Sequence, residues 1–469
     1  MYHPQSIPAP AAPPAAARQT AVPAGWVMVG VAMAALLALR VASGPTANAG
    51  YVLLAAYALL GRAHAVRALA LCWLFNMISP GIAPEASLAS IGRYAVLFGA
   101  AASVMLRSGL GARRRPLALP TVLLGLFIVG HSLLLSPMAD VSVLKAVSWT
   151  MATATVIAAW NGLSAWEREQ LAQQLFWGLV LVLVASLPLA VLPLGYLRNS
   201  TGFQGILNHP QAFGPAMALL CAWATARLLG DRNPPWWLLA LAGTSLAAVV
   251  MSEARTAGLA AVVGVGLAVL LGAWLGGQPI GRVAPGLTSG RVWAVLLGVL
   301  LAAVAFASAI VALVHHYITK SGRADVGSLV EAYERSRGRL IDIMLANIAE
   351  HPLTGIGFGL ASEPWTMHVE RDPVLGLPVG ASVEKGVTPL MVLEELGIFG
   401  AALVALLVLG LIRGSARGGL APFAVCLTAL ALNMGAATLF SPGGFGLLLL
   451  ILLGWAYTSG QPPARPRYG

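Results

Sequence analysis

The chain has 469 residues, is 58% hydrophobic and only 10% charged, and carries a formal net charge of +11 with a mean hydropathy of +0.81. Soluble domains carry about 25% charged residues, so a soluble enzyme is excluded and the composition is that of an all-α polytopic membrane protein. Three cysteines, Cys72, Cys221 and Cys426, fall inside apolar runs, where free thiols pack as small apolar groups and imply neither a disulfide framework nor a metal site.

Residues 1–24 combine six prolines with alanines and read as a flexible polyproline-like tail. Apolar runs follow at about 25–41, 48–62, 65–79, 91–107, 117–135, 144–160, 173–195, 209–228, 235–250, 254–275, 292–316, 388–411, 420–437 and 443–458. Each approaches the roughly 20 residues that a membrane helix needs, which predicts 12–14 transmembrane helices. The Ala47-Asn48-Ala49 triplet looks like a signal cleavage site, but the region before the first run is long and weakly basic, so that helix is expected to stay uncleaved. The predicted order is a tail (1–24), an N-terminal bundle (25–318), a large polar loop (319–387), C-terminal helices (388–458) and a short basic tail (459–469).

Threading these spans alternately, with both termini inside, places sixteen arginines on the inner side against Glu167, Glu169 and Asp231 alone. The outer side carries twelve basic and fourteen acidic residues. The positive-inside rule selects this threading, so the excess of arginine is topological and implies no nucleic-acid partner. The polar loop then faces outward, into the periplasm of a Gram-negative cell.

Within that loop, Leu340–Glu350 reads as an amphipathic helix with Ile341, Met344, Leu345 and Ile348 on one face. Gly338 precedes it and His351-Pro352 ends it. Such a helix lies along the membrane surface or packs on the bundle. Gly355-Ile-Gly357-Phe-Gly359 lacks the strand and helix that flank a phosphate-binding loop and reads as a flexible tight turn. The stretch 367–387 reads as a mobile surface loop.

Candidate polar residues gather on the outer face. Arg255 opens a span in Ser252-Glu253-Ala254-Arg255-Thr256, Arg198 lies in the preceding outer loop, and Arg339 starts the amphipathic helix. Arginine suits diphosphate recognition because its planar fork donates paired hydrogen bonds and keeps its charge. The alternative for Arg255 is pairing with Glu253 or snorkelling to headgroups. His209 begins a span at the outer surface, Glu384-Lys385 stands before the twelfth run, and Glu394-Glu395 lies within it. Ionisable groups in a membrane helix are functional candidates; His131 and Asn433 read as interhelical hydrogen-bonding residues. The spacing of His315, His316, His351 and His368 fits no zinc pattern.

Three segments together resemble the bacterial O-antigen ligase and polysaccharide polymerase superfamily. They are Gly205–Gly214 (GILNHPQAFG) with Ser252–Ala257, then Gly338-Arg339 leading to His351–Gly359, then Glu384-Lys385-Gly386 with Leu390, Leu393, Glu395, Leu396, Gly397 and Gly400. The match spans about 202–400. The resemblance implies a GT-C-like fold and an inverting glycosyl transfer at the outer face of the bacterial inner membrane, without metal or other cofactor. The implied donor is a glycan on undecaprenyl diphosphate, and the partners are a glycan or lipid acceptor and membrane lipids. Arg255 and Arg339 sit where the family's diphosphate-binding arginines sit, with Arg198 on the same face. Ligases of this family place a histidine where this chain has Lys385-Gly386-Val387. Glu384, Lys385 or His209 is therefore the candidate base, and ligase and repeat-unit polymerase both stay open. A transporter of glycans or metabolites is the alternative from another class, and predicts ionisable residues near the midplane.

Overall fold

The computed structural model describes residues 24–107, 117–196, 202–305, 308, 338–371, 376, 378–381, 383 and 385–462. Arg198, Glu384 and most of the first half of the polar loop lie outside these. The chain is almost entirely helical: α1 (Ala24–Ala42), α2 (Gly44–Ala58), α3 (Arg62–Met77), α4 (Ala89–Arg107), α5 (Ala118–Leu135), α6 (Ala139–Asn161), α7 (Ala165–Ser186), α8 (Pro210–Leu229), α9 (Trp236–Met251), α10 (Arg255–Gly276), the short α11 (Ile280–Val283), α12 (Gly290–Ala305), α13 (Arg339–Glu350), α14 (Thr388–Arg417), α15 (Leu420–Leu432) and α16 (Phe445–Ser459). Every apolar run of the sequence is met by a helix. Six helices are long and apolar enough to cross a membrane by length and composition, so the protein is an all-α polytopic membrane protein. Six further apolar helices have 10–17 residues, short of the roughly 20 that span a hydrocarbon core unaided.

The starts of these helices follow from local chemistry. Ser43 and Thr46 form a capping box for α2, and Ser164 with Glu167 forms another for α7. Pro210 and Pro389 occupy first-turn positions that need no backbone donor. Two helices form the centre of the bundle. In α8, 89% of the membrane-length window is buried, against 22% in α10. All of α16 from Phe445 to Thr458 is buried, and Trp223 of α8 stacks on Trp455 of α16 with centroids 4.0 Å apart. Lipid offers no hydrophobic drive between helices, so small residues and close backbones hold them. Gly264 of α10 shows this: a Cβ there would lie 2.2 Å from Thr428 Oγ1 of α15.

Loops that the alternate threading assigns to one face meet at one end. At the end that the charges assign to the outside, here called outer, Ser79 N–H donates to Ile206 O (2.9 Å), Phe203 N–H to Met251 O (2.9 Å) and Ala437 N–H to Lys385 O (3.0 Å). At the inner end Arg62 reaches Gly162 O, Arg107 reaches Leu59 O, and Arg291 reaches Pro234 O. Trp166, Trp236, Trp274 and Trp293 are exposed at that inner end, as expected of an interfacial aromatic girdle.

The amphipathic helix α13 packs on the bundle. Met344 is fully buried, whereas Leu345 stays 48% exposed, and the contact is with α14. The stretch read as a mobile loop contains order of its own. Glu370 pairs with Gly380 and Arg371 with Pro378 in a short antiparallel hairpin, β1 (Glu370–Arg371) and β2 (Pro378–Gly380). An ion pair from Arg371 to Asp140 at 2.6 Å ties the hairpin to the start of α6. The sequence reading had no partner for Arg371, because Asp140 is contributed by a distant helix.

Candidate functional site

The outer half of α14 is broken, and the break builds the site. Gly397 has φ 63° and ψ −171° inside the helix, a conformation that costs other residues dearly. The break leaves the carbonyls of Glu394 and Glu395 without their usual helical donors. The glycine-rich segment after α13 supplies replacements: Ile356 N–H donates to Glu394 O (2.8 Å) and Gly357 N–H to Glu395 O (3.1 Å), while Ile398 N–H donates to Pro352 O (3.0 Å). The approach requires glycine on both sides. A Cβ on Gly355 would lie 2.5 Å from the Glu395 carbonyl carbon, and one on Gly397 2.1 Å from Leu353 O. Gly355, Gly357 and Gly359 all have positive φ. The turn reading therefore holds for their local conformation, and the structure adds that the turn is pinned as a saddle over the kink.

Beneath the saddle lies a buried charge cluster. Lys385 Nζ stands 2.6 Å from Glu394 Oε2 and 3.0 Å from Glu395 Oε1, with side-chain exposures of 3% or less for all three. Neither contact has hydrogen-bond angles, so the ammonium acts as a point charge between two carboxylates. The other oxygens are satisfied by neighbouring segments: Asn347 Nδ2 of α13 donates to Glu394 Oε1 (2.8 Å), and Gly359 N–H donates to Glu395 Oε2 (2.6 Å). Lys145 of α6 donates to Gly359 O and lies within electrostatic reach of Glu395. Two ammonium groups thus balance two carboxylates, as burial of charge demands. Asn433 fastens the outer start of α14 from the other side: its carbonyl oxygen accepts from Thr388 N–H, and its side-chain oxygen accepts from the amides of Thr438 and Leu439. His131 likewise touches Thr354 O. Asn433 behaves as the interhelical tie that the sequence suggests, whereas His131 ties α5 to the turn after α13 and not to another helix.

This geometry changes the standing of two candidate bases. The Lys385 ammonium is enclosed and held by two carboxylates, an arrangement for a strut and not for a base open to an acceptor. His209 caps α8, its Nδ1 accepting from Gln211 N–H at 2.9 Å. A neutral imidazole that accepts at Nδ1 carries its proton on Nε2 and has no second lone pair to offer. Glu384, the third candidate, lies outside the described residues.

The two parts of the first motif form one packed unit. Gly202 and Gly214 leave room for Ser252 and Ala254, which a Cβ on either glycine would strike at 2.3–2.8 Å. The turn before α10 bends through Glu253, whose φ of 54° is unusual for a residue with a side chain. Half-buried Arg255 opens α10 directly after this turn, on the same unit as His209. Thr256 sits against Gly435, and Ala437 two residues on holds Lys385 O, so the Arg255 unit and the Lys385 cluster share the outer end. Arg339 is exposed at the start of α13. Arg198 lies outside the described residues. Sequence reasoning missed Asn347 and Lys145; for Lys145 a signal existed, since the chain has three lysines and this one lies within an apolar run. Compared with known proteins, the chain matches no family model and no curated protein.

Proposed function

We propose that the protein transfers a glycan from undecaprenyl diphosphate to an acceptor hydroxyl at the outer face of a bacterial inner membrane, with 12–14 helices spanning or entering the bilayer and both termini inside. The observation that carries this reading is the docking of the segment after Arg339 onto the broken helix, at the end where Arg255 opens α10. The acceptor oxygen attacks the anomeric carbon, its proton goes to a base, and the glycosidic bond to the lipid diphosphate breaks. Charge then builds on the departing diphosphate, and pre-placed guanidinium groups of Arg255 and Arg339 lower that barrier. The buried cluster of Lys385, Glu394 and Glu395 holds the loop that presents Arg339. With Lys385 enclosed and the His209 lone pair engaged, Glu384 is the base that this reading assigns. Repeat-unit polymerase and ligase differ only in the acceptor, and both fit.

Purified protein in nanodiscs, given lipid-diphosphate glycan and acceptor, releases lipid diphosphate under this reading. Arg255→Ala and Arg339→Ala each lower that release by at least about a hundredfold, the scale of one lost transition-state donor, while the protein remains inserted. Full activity in either variant removes the diphosphate clamp. One observation favours a second reading: a membrane helix broken beside buried ionisable groups is also how secondary transporters are built. Proton-coupled solute uptake without release of lipid diphosphate establishes that reading instead.

A further inference from the structure

A second cleft opens at the outer end, away from both Arg255 and Arg339. It encloses about 350 Å³ between α4, α6, the start of α16 and the β1–β2 hairpin. Its charged lining residues are Arg93, Lys145 and, on the hairpin, Glu370, and its apolar ones include Leu97, Leu144 and Leu447. Arg93 is half-buried, and among the described residues its guanidinium makes no hydrogen bond or ion pair. Its one polar-face contact is with the Tyr94 ring, 5.1 Å from the centroid, and its Nη1 lies where a Cβ on Gly443 would come within 2.7 Å. The other charges facing the cleft are accounted for. Glu370 is exposed, and Lys145 donates to Gly359 O with two ammonium hydrogens left over.

Near the end of a membrane helix a guanidinium sits at headgroup level, and its planar fork matches a phosphate. Leu97 lies one turn of α4 further from the outer end than Arg93, and Leu144 and Leu447 line the same cleft. We infer that this cleft binds the phosphate headgroup of a membrane lipid, with Arg93 as the principal contact, Lys145 as the second, and the acyl chain along Leu97, Leu144 and Leu447. The site needs no glycosyl transfer, although it shares Lys145 with the buried charge cluster. The hairpin, tied down by Arg371 and Asp140, forms its outer wall.

The test uses the full chain in phosphatidylcholine nanodiscs doped with a diazirine-bearing phosphatidic acid, irradiated and mapped by peptide mass spectrometry. Labelling is expected on α4 and α6 around residues 90–97 and 141–148. Arg93→Gln lowers it about tenfold, the loss of one charge-assisted contact, and Lys145→Gln lowers it less. Arg93→Lys retains part of it, which separates lost charge from lost fold. Three results overturn the inference: equal labelling by a diazirine diacylglycerol without phosphate, full labelling in Arg93→Gln, or its erasure by millimolar inorganic phosphate, which marks a site for free anions. Labelling that survives in an Arg255→Ala, Arg339→Ala double variant supports a separate site, whereas labelling that depends on those two and not on Arg93 places the lipid at the transfer site and overturns the inference.

Discussion

The two ends of the bundle differ in how several of their cations are used. At the inner end, arginines close helix termini: Arg168 reaches Thr458 O at 2.7 Å and Gln461 O at 3.0 Å, and Arg107 reaches Leu59 O at 2.9 Å and Leu60 O at 3.0 Å. These carbonyls lie at or just beyond helix C-termini, where a cation also complements the helix dipole. At the outer end, Lys385 holds carboxylates from its own chain segment, and Arg93 faces a cleft with no polar partner among the described residues. The same positive charge therefore serves as a cap at Arg168 and Arg107, as Arg40 also does at the outer end toward Phe75 O (2.9 Å) and Pro84 O (2.6 Å), and as a strut or an open binding group at Lys385 and Arg93. Net charge alone does not separate these uses; the chemistry of the nearest acceptor does.

The sharpest way to break this comparison is Lys385→Met. It leaves Glu394 and Glu395 buried without their cation, and a loss of about 3–5 kcal/mol is expected, read as a fall in the thermal unfolding midpoint in detergent. Adding Glu394→Gln and Glu395→Gln to that variant recovers much of the stability; no recovery means that the cluster is not an electrostatic strut. Next comes Gly355→Ala, which forces a side chain into positive φ and into the Glu395 carbonyl. The expected cost is about 3 kcal/mol from left-handed strain and overpacking together, and limited proteolysis within the saddle should rise with it. Gly266→Ala, where an added Cβ meets nothing, serves as the reference and should leave the midpoint near the parent value. The smallest effect belongs to the inner end. Arg168→Gln removes charged donors from the end of α16 and should cost about 1.5–3 kcal/mol, with no change in activity or lipid labelling. A loss of labelling in Arg168→Gln, or a cost above that of Lys385→Met, would erase the contrast between the ends.

Much of the fold is legible in the sequence because the membrane imposes a strong rule: backbone polar groups must be satisfied within each segment, so apolar runs become helices. The amphipathic helix is equally legible. Its sequence limits, Gly338 before and His351-Pro352 after, match the observed Arg339–Glu350 to within a residue. The positions of Gly355, Gly357 and Gly359 announce turns through local backbone energetics. What they dock against is not announced, since Glu394 and Glu395 lie some forty residues further on. The hairpin at 370–380 was unreadable for the same reason, because its anchor Asp140 sits more than two hundred residues earlier.

The sequence by itself determined that this is a many-helix membrane protein whose arginines concentrate in the loops of one face under alternate threading. Hydropathy and charge are sums over local residues, so they survive without a fold. Only the tertiary structure decided what individual charges do. It enclosed Lys385 beneath the saddle, brought Asn347 and Gly359 to the two carboxylates beside it, and left Arg93 facing a cleft. Burial and partnership are properties of atoms brought together from distant segments, and a side chain's role follows from the partner it meets there.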